Sequence, residues 1–505
     1  MFYLIFSWIS SFIQLVALFL LVYSLFRAIH YFWNLYHSLQ YDSTCKDPLP
    51  GGGMGWPIIG ETFQLILKGS KFYEERFKKH GKIFKTHVLG KPIIRVYGAE
   101  NLQKIFQLEN EILAPSLPTS TRSLLGQHAI SGMFGTLHAV ARKRIMEAFR
   151  HSALESYVPS IQKQIDETLE NWCSKEKVTV YPEMRELIFR VNGSTLCGFN
   201  YSKTEILSLT ETFKVFSDNI FCLPINIPGS GLNKGMKARE ILLERIGASV
   251  RKKRESDSLE DRTALRLLME YMDETKDDVD DKIIKDVVLE LLFASFSTTS
   301  SAATTLLMNL SRHPEVVARI KQELEESGLY SLDNVHGLSL AEINSLKYTA
   351  AVVRESLRLT PPVGGGFRKV LQTFTLEGKQ IPKGWTLLWS IRETMGYSSY
   401  YDNVDQFYPD RFINNEKEYK VISNRYNYCV FGGGPRSCIG KHLAILFLKI
   451  LTIELTRKCN WRLLTTDLKI ALLPVPHPKN GLPVKFMRNN QEKQETKIES
   501  TKKID

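Results

Sequence analysis

The stretch FGGGPRSCIGKHLAILFLKILTIEL, residues 431–455, constrains the fold more than any other. Three consecutive glycines cannot propagate a helix, whereas the run after Gly440 repeats its apolar residues with a period near 3.6 and must be helical. Cys438 therefore sits just ahead of a helix N-terminus. There the free N–H groups and the helix dipole stabilise a thiolate, and Arg436 two residues earlier adds positive charge. A lone buried cysteine is ordinarily inert packing, and Cys429 is read that way. Cys438 differs, because turn glycines let the backbone approach a ligand closely, which suits a soft anionic sulfur offered to a metal.

The rest of the chain narrows the setting. Met1 to Phe26 carries no Asp, Glu, Lys or Arg, and roughly 20 apolar residues suffice to cross a bilayer as a helix. Trp8, Tyr23, Tyr31 and Trp33 suit the interfacial belts, and Arg27 ends the run. The stretch is longer than a signal-peptide core and no A-x-A site follows, so residues 1–28 are read as a retained membrane anchor. The basic bulk follows the span, and the positive-inside tendency puts the body in the cytosol. Seven cysteines in 505 residues, none spaced as C-x-x-C, fit a reducing compartment and argue against structural zinc. The net charge of +12 suits an acidic partner or an anionic membrane. No basic stretch is interleaved with aromatics, so nucleic acid is not expected as a partner.

Residues 29–60 read as a linker ending in DPLPGGGMGWPIIG, a hinge shaped by prolines and glycines. KIFKTHVLGKPIIRVYG predicts a hairpin about Gly-Lys-Pro, and the pattern beyond residue 100 is mainly helical. A strand-like region runs from Pro361 to about Phe412. One body over 61–487 is the simplest account, mainly α with a small β-rich lobe, followed by a polar tail over 488–505. Residues 287–310 are apolar enough to raise a second span, but their hydroxyls and Glu290 favour a buried core helix.

Phe431, Gly434, Arg436, Cys438 and Gly440 reproduce F-x-x-G-x-R-x-C-x-G. This resembles the haem-binding loop of the cytochrome P-450 superfamily, which implies the cytochrome P-450 fold, haem b (iron protoporphyrin IX) and Cys438 as axial iron ligand. Other segments agree. Glu355 and Arg358 of RESLR, with Arg411 of FYPDRF, would form the superfamily's buried charge network as structural support. HAVARKRIMEAFR is similar to the helix whose aromatic residue and arginine hold a haem propionate; His138 stands where that aromatic is usually Trp, and Arg142 matches. Arg368 in PPVGGGFR is implied as a further propionate partner, since a planar guanidinium offers two donors at once.

On the distal helix the superfamily pattern ends in an acid followed by Thr, where this chain has Ser297 and Thr298. Thr298 would face bound O2 and help deliver protons. With the acid replaced, two readings stand. Either Ser297, Thr298 and Thr299 order water that carries protons, or the protein has become a haem-dependent isomerase or dehydratase. The kept threonine and intact cysteine loop favour the first.

From the hinge to residue 486 the resemblance is closest to the animal retinoic-acid hydroxylases, carried by VTVYPEMRELIFRV, LPINIPGSGLNKGMKARE, PPVGGGFRKVLQTFTLEGKQIPKGW and LLPVPHPKNGLPVKF. It implies a membrane-bound monooxygenase that hydroxylates a retinoid such as all-trans retinoic acid. A sterol or terpenoid hydroxylase and a non-catalytic lipid binder are the alternatives. Leu117 departs from a substrate-facing Trp of that family. Leu117, Phe216, Phe221, Ala294, Val363 and Val475, with Thr298, are candidates to line the substrate pocket, and Arg95 to meet a carboxylate. No nucleotide-binding fingerprint occurs, so electrons from NADPH would come through a partner flavoprotein reductase. Lys441, His442, Lys449, Arg457, Lys458, Lys143 and Arg144 are candidates for its basic docking face. With the anchor, the resemblance implies a single-pass protein of the endoplasmic reticulum membrane.

Overall fold

The computed structural model describes all residues except 1, 89, 200–201, 256–262, 275–280, 332–336, 414–424 and 490–505. The polar tail expected at the C-terminus falls, from residue 490 on, outside them. The chain forms two compact units, one of Met1–Ser116 with Gly365–Ser390 and one of Leu117–Gly364 with Ile391–Asp505. The strand-like region after Pro361 is thus divided: its strands, all within Gly365–Ser390, belong to the first unit, and the remainder to the second.

That unit opens with the helix Phe2–Ser38, most of whose described apolar residues are exposed. At 1.5 Å per residue it exceeds the roughly 30 Å a bilayer core requires, so its last turns are free for other contacts. The ring of Phe26 lies 4.4 Å from that of Trp56, and the Trp33 indole donates to the Met54 carbonyl at 3.4 Å. The first ten residues of the expected linker therefore continue the helix, and the hinge packs on it.

The hinge also packs on the sheet. Gly60 has φ of 64°, and a Cβ there would stand 2.0 Å from the His87 carbonyl, so only glycine fits. The expected hairpin forms from Ile83–Val88 and Lys91–Val96, paired antiparallel from Ile83↔Val96 to Val88↔Lys91, but Lys91 and Pro92 stand in the second strand rather than in the turn. Thr386–Ser390 adds parallel to Lys91–Val96, then Gly365–Val370 and Leu113–Pro115 follow antiparallel.

The second unit is mainly helical. Its central helix, Asp281–Arg312, is long and apolar enough to cross a membrane, yet 61% of its most apolar window is buried. It is a core helix. Several of its hydroxyls are satisfied within the helix: Ser300, Thr304 and Thr305 donate to carbonyls four residues back at 2.7, 2.8 and 3.0 Å. Lys441–Lys458 follows the cysteine loop and packs against His151–Cys173. A small antiparallel sheet places Pro483–Arg488 between Val178–Thr179 and Cys459–Leu463.

Candidate active site

The glycine-rich loop turns where its sequence demands. Gly432 and Gly434 have φ of 67° and 64°, and the Cys438 N–H donates to the Phe431 carbonyl at 2.9 Å. Helix Lys441–Lys458 begins directly after Gly440. Cys438 is exposed, although protein crowds its other sides. That crowding raises the thiol's pKa, while the Gly440 N–H and the charges of Arg142 and Lys441 oppose it. Arg142, on helix Gly135–Met146, donates to Ser437 Oγ at 3.1 Å. Arg436 donates to the Met133 carbonyl, and His138 is buried. His138, Arg142, Phe431, Arg436 and Gly440 thus belong to one unit with Cys438.

Behind the loop the charge network is complete. Arg358 donates to Glu355 through Nε at 2.7 Å and Nη2 at 3.0 Å, and Arg411 Nε reaches the same carboxylate at 2.9 Å. The Tyr408 N–H adds a further donor at 2.9 Å. Arg411 also satisfies the carbonyls of Asp402 at 2.8 Å and Asn403 at 3.3 Å. The pairs thereby fix a loop as well as each other.

On the central helix Ala294 is exposed and Thr298 partly so, among residues that alternate between half-buried and buried. Thr298 Oγ1 donates to the Ala294 carbonyl at 2.6 Å. Ser297 instead shares a hydrogen bond with Ser217 on helix Lys203–Asp218 at 3.1 Å. Ser295 accepts from Asn192 at 2.8 Å. Ser301 donates to the Pro476 carbonyl, which ties the segment bearing Val475 to this helix.

A family model described as Cytochrome P450 matches residues 50–481. Cytochrome P450 26B1 of Xenopus tropicalis is 41% identical over 98% of this chain and 98% of its own length. Its human counterpart is 41% identical over 95% and 94%, and Cytochrome P450 26A1 of Danio rerio 39% over 92% and 95%.

The chain belongs to the cytochrome P450 family.

Among solved structures, retinoic acid bound cyanobacterial CYP120A1 matches this P450 with a TM-score of 0.79 and 30% identity, covering 88% of this chain and 100% of that one. The fold is that of a P450, and the protein is a haem-thiolate monooxygenase that uses O2. The residues present suit a haem. An accessible thiol under an opposing pair of cations provides the soft donor, and an exposed Ala294 with Thr298 lies on a helix otherwise made for burial.

The remaining candidates have varied surroundings. Phe216 is fully buried, its ring 5.5 Å from Phe213 and 6.2 Å from Phe293. Phe221 is 60% exposed, in a turn beyond the helix end. Leu117 is partly exposed, Val363 is exposed and Val475 buried. In the first unit Arg368 is engaged by the buried Glu109, through Nε at 2.7 Å and Nη2 at 2.6 Å, while its Nη1 donates to the Phe367 carbonyl at 2.8 Å. Arg95 is buried over the Tyr73 ring at 4.3 Å.

The proposed docking cations also divide. Lys449 is buried and donates to Ile343 and Asn344 at 3.3 and 3.2 Å. Arg457 pairs with Glu454 at 3.0 Å, and Lys458 with Asp166 and Glu454. Their apolar helix turns Lys449 and Arg457 inward as core cations, whereas Lys458 is half-buried and held by its two carboxylates. Lys143, Lys441 and His442 are exposed.

The sequence reading also missed an acidic clamp. Glu290 accepts the backbone N–H groups of Ile130 and Ser131, the latter at 2.9 Å, and Asp286 pairs with Arg239. Asp286 and Glu290, four apart beside the apolar run 287–289, were the available signal, because buried carboxylates demand partners.

Proposed function

We propose that this P450 hydroxylates a retinoid, with all-trans retinoic acid as the leading substrate. The observation that carries this reading is the retinoic acid held by a solved relative aligned over 88% of the chain. The segments resembling retinoic-acid hydroxylases support it, as does the near full-length identity to 26B1 and 26A1 proteins. Electrons would arrive from NADPH through a flavoprotein reductase docked on exposed cations such as Lys143 and Lys441. The apolar N-terminal helix supports a single span in the endoplasmic reticulum membrane, with the catalytic body on the cytosolic side.

Cys438 would bind the haem iron as thiolate, its backbone N–H fixed on the Phe431 carbonyl and its chain leading through Gly440 into the next helix. Bound haem supplies oxygen activation at its iron. Arg142 and Arg436, with His138, would hold propionates; the resemblance offers Arg368 as a further propionate candidate, and its guanidinium is engaged by Glu109. Thr298 would position protons at its Oγ1, and the Ser297 hydroxyl would assist from its bond with Ser217. Leu117, Ala294, Val363 and Val475 would border the substrate, with Phe216 backing that wall from the core and Phe221 nearer solvent. Two measurements test the reading. Ferric haem-loaded protein should show a Soret shift with all-trans retinoic acid, and incubation with reductase and NADPH should give product heavier by one oxygen. Turnover of a sterol or terpenoid from the same panel, with no retinoid product, would overturn the substrate assignment.

A further inference from the structure

Cys173 closes helix His151–Cys173, and Cys459 opens strand Cys459–Leu463, directly after helix Lys441–Lys458. Their sulfurs lie 3.5 Å apart across 286 residues of chain. Neither sulfur takes part in the chemistry above. The two helices are fastened beside them. Gln162 donates to Glu454 at 2.9 Å, Lys458 bridges Asp166 and Glu454, and Cys459 faces Arg488 across the sheet ladder. The sulfurs are thus presented to each other by held backbone, and closing to a bond of about 2.05 Å requires only side-chain rotation or a small shift.

We infer that Cys173 and Cys459 are a redox-sensitive pair that a hydroperoxide converts to a disulfide, fastening the end of one core helix to the strand that leaves the other. The two cysteines differ as attacking and resolving thiols should. Cys173 is partly exposed and Cys459 buried. The hydrogen bond from Cys459 lowers the pKa of Cys173, and Arg488 adds to the effect. The Cys173 thiolate attacks one peroxide oxygen, the O–O bond breaks, and the departing hydroxide takes a proton to leave as water. The Cys459 sulfur then displaces the hydroxyl from the Cys173 sulfenic acid, losing its own proton and releasing a second water. In sum two thiols and one hydrogen peroxide give one disulfide and two waters. A dithiol reductant reverses the change, as a reducing compartment requires.

The test uses full-length, haem-loaded protein treated with hydrogen peroxide, alkylated and digested. Mass spectrometry should find a peptide pair joined through Cys173 and Cys459 that dithiothreitol separates. The thermal midpoint of wild type should rise by roughly 5 °C on oxidation, and Cys173→Ser and Cys459→Ala should each abolish the rise. Wild-type Cys173 advancing to sulfinic acid while Cys459 remains alkylatable would overturn the inference. So would the same thermal rise in Cys459→Ala.

Discussion

Ser297 and Thr298 are neighbours whose hydroxyls are held in different ways. Thr298 bonds within its own helix at 2.6 Å, a contact it can exchange for a ligand without disturbing packing. Ser297 bonds to Ser217 of another helix at 3.1 Å, so it joins two elements as well as standing where an acid is usual. Thr298→Ala should therefore lower product formed per reductant consumed by on the order of 10²-fold, with the missing electrons recovered as hydrogen peroxide. Unchanged coupling would remove Thr298 from proton delivery. Ser297→Ala leaves Ser217 buried without this partner, at a cost of about 1 kcal/mol in denaturant unfolding. Its product yield should also become more sensitive to heavy water, whereas a role in packing alone leaves that sensitivity unmoved.

Elements are fastened by buried carboxylates more than by surface pairs. Glu355 has no solvent exposure and receives two guanidinium groups and a backbone N–H. Removing it in Glu355→Ala leaves two buried arginines uncompensated, with an expected loss of about 3–5 kcal/mol and of haem retention on purification. A variant that unfolds at the wild-type denaturant midpoint would contradict the network's role. Glu290 fastens the central helix to the segment ahead of Gly135–Met146. Glu290→Ala should cost roughly 1–3 kcal/mol for each backbone donor left buried. The loss is also expected to lower haem retention on purification, because that segment leads into the helix of Arg142.

At the scale of the whole molecule, the anchor is continuous with the hinge and the sheet beside it. Phe26 and Trp33 pack on the hinge, and His87 lies against both Trp33 and His37, with ring centroids 5.1 and 5.3 Å away. Deleting residues 2–24 should abolish membrane pelleting yet preserve the melting temperature. Extending the deletion to residue 40 should lower it by several degrees through loss of those contacts; equal melting of the two truncations would show the docking to be energetically idle. Burial, with His37 beside it, lowers the pKa of His87 from 6.5 to about 4. The stability of neutral His87 is thus present above pH 6.5 and lost as pH falls from there toward 4. Thermal melts of wild type should decline across that window more steeply than those of His87→Phe, and parallel curves would refute the linkage. How much of this was legible depends on the range of the forces involved. The sequence by itself determined the turn at Gly432–Gly434, the helix after Cys438, the apolar anchor, the hairpin and the Glu355–Arg358 spacing, because backbone sterics and the periodicity of apolar residues act within a few positions. Only the tertiary structure decided which cations remain free. Lys449, Arg457 and Lys458 read like surface cations and Arg368 like a propionate partner, but their partners Asn344, Glu454, Asp166 and Glu109 come mostly from distant chain. It likewise placed Ser217 against Ser297 and Cys173 against Cys459, since packing of separate helices, unlike local propensity, sets which side chains meet.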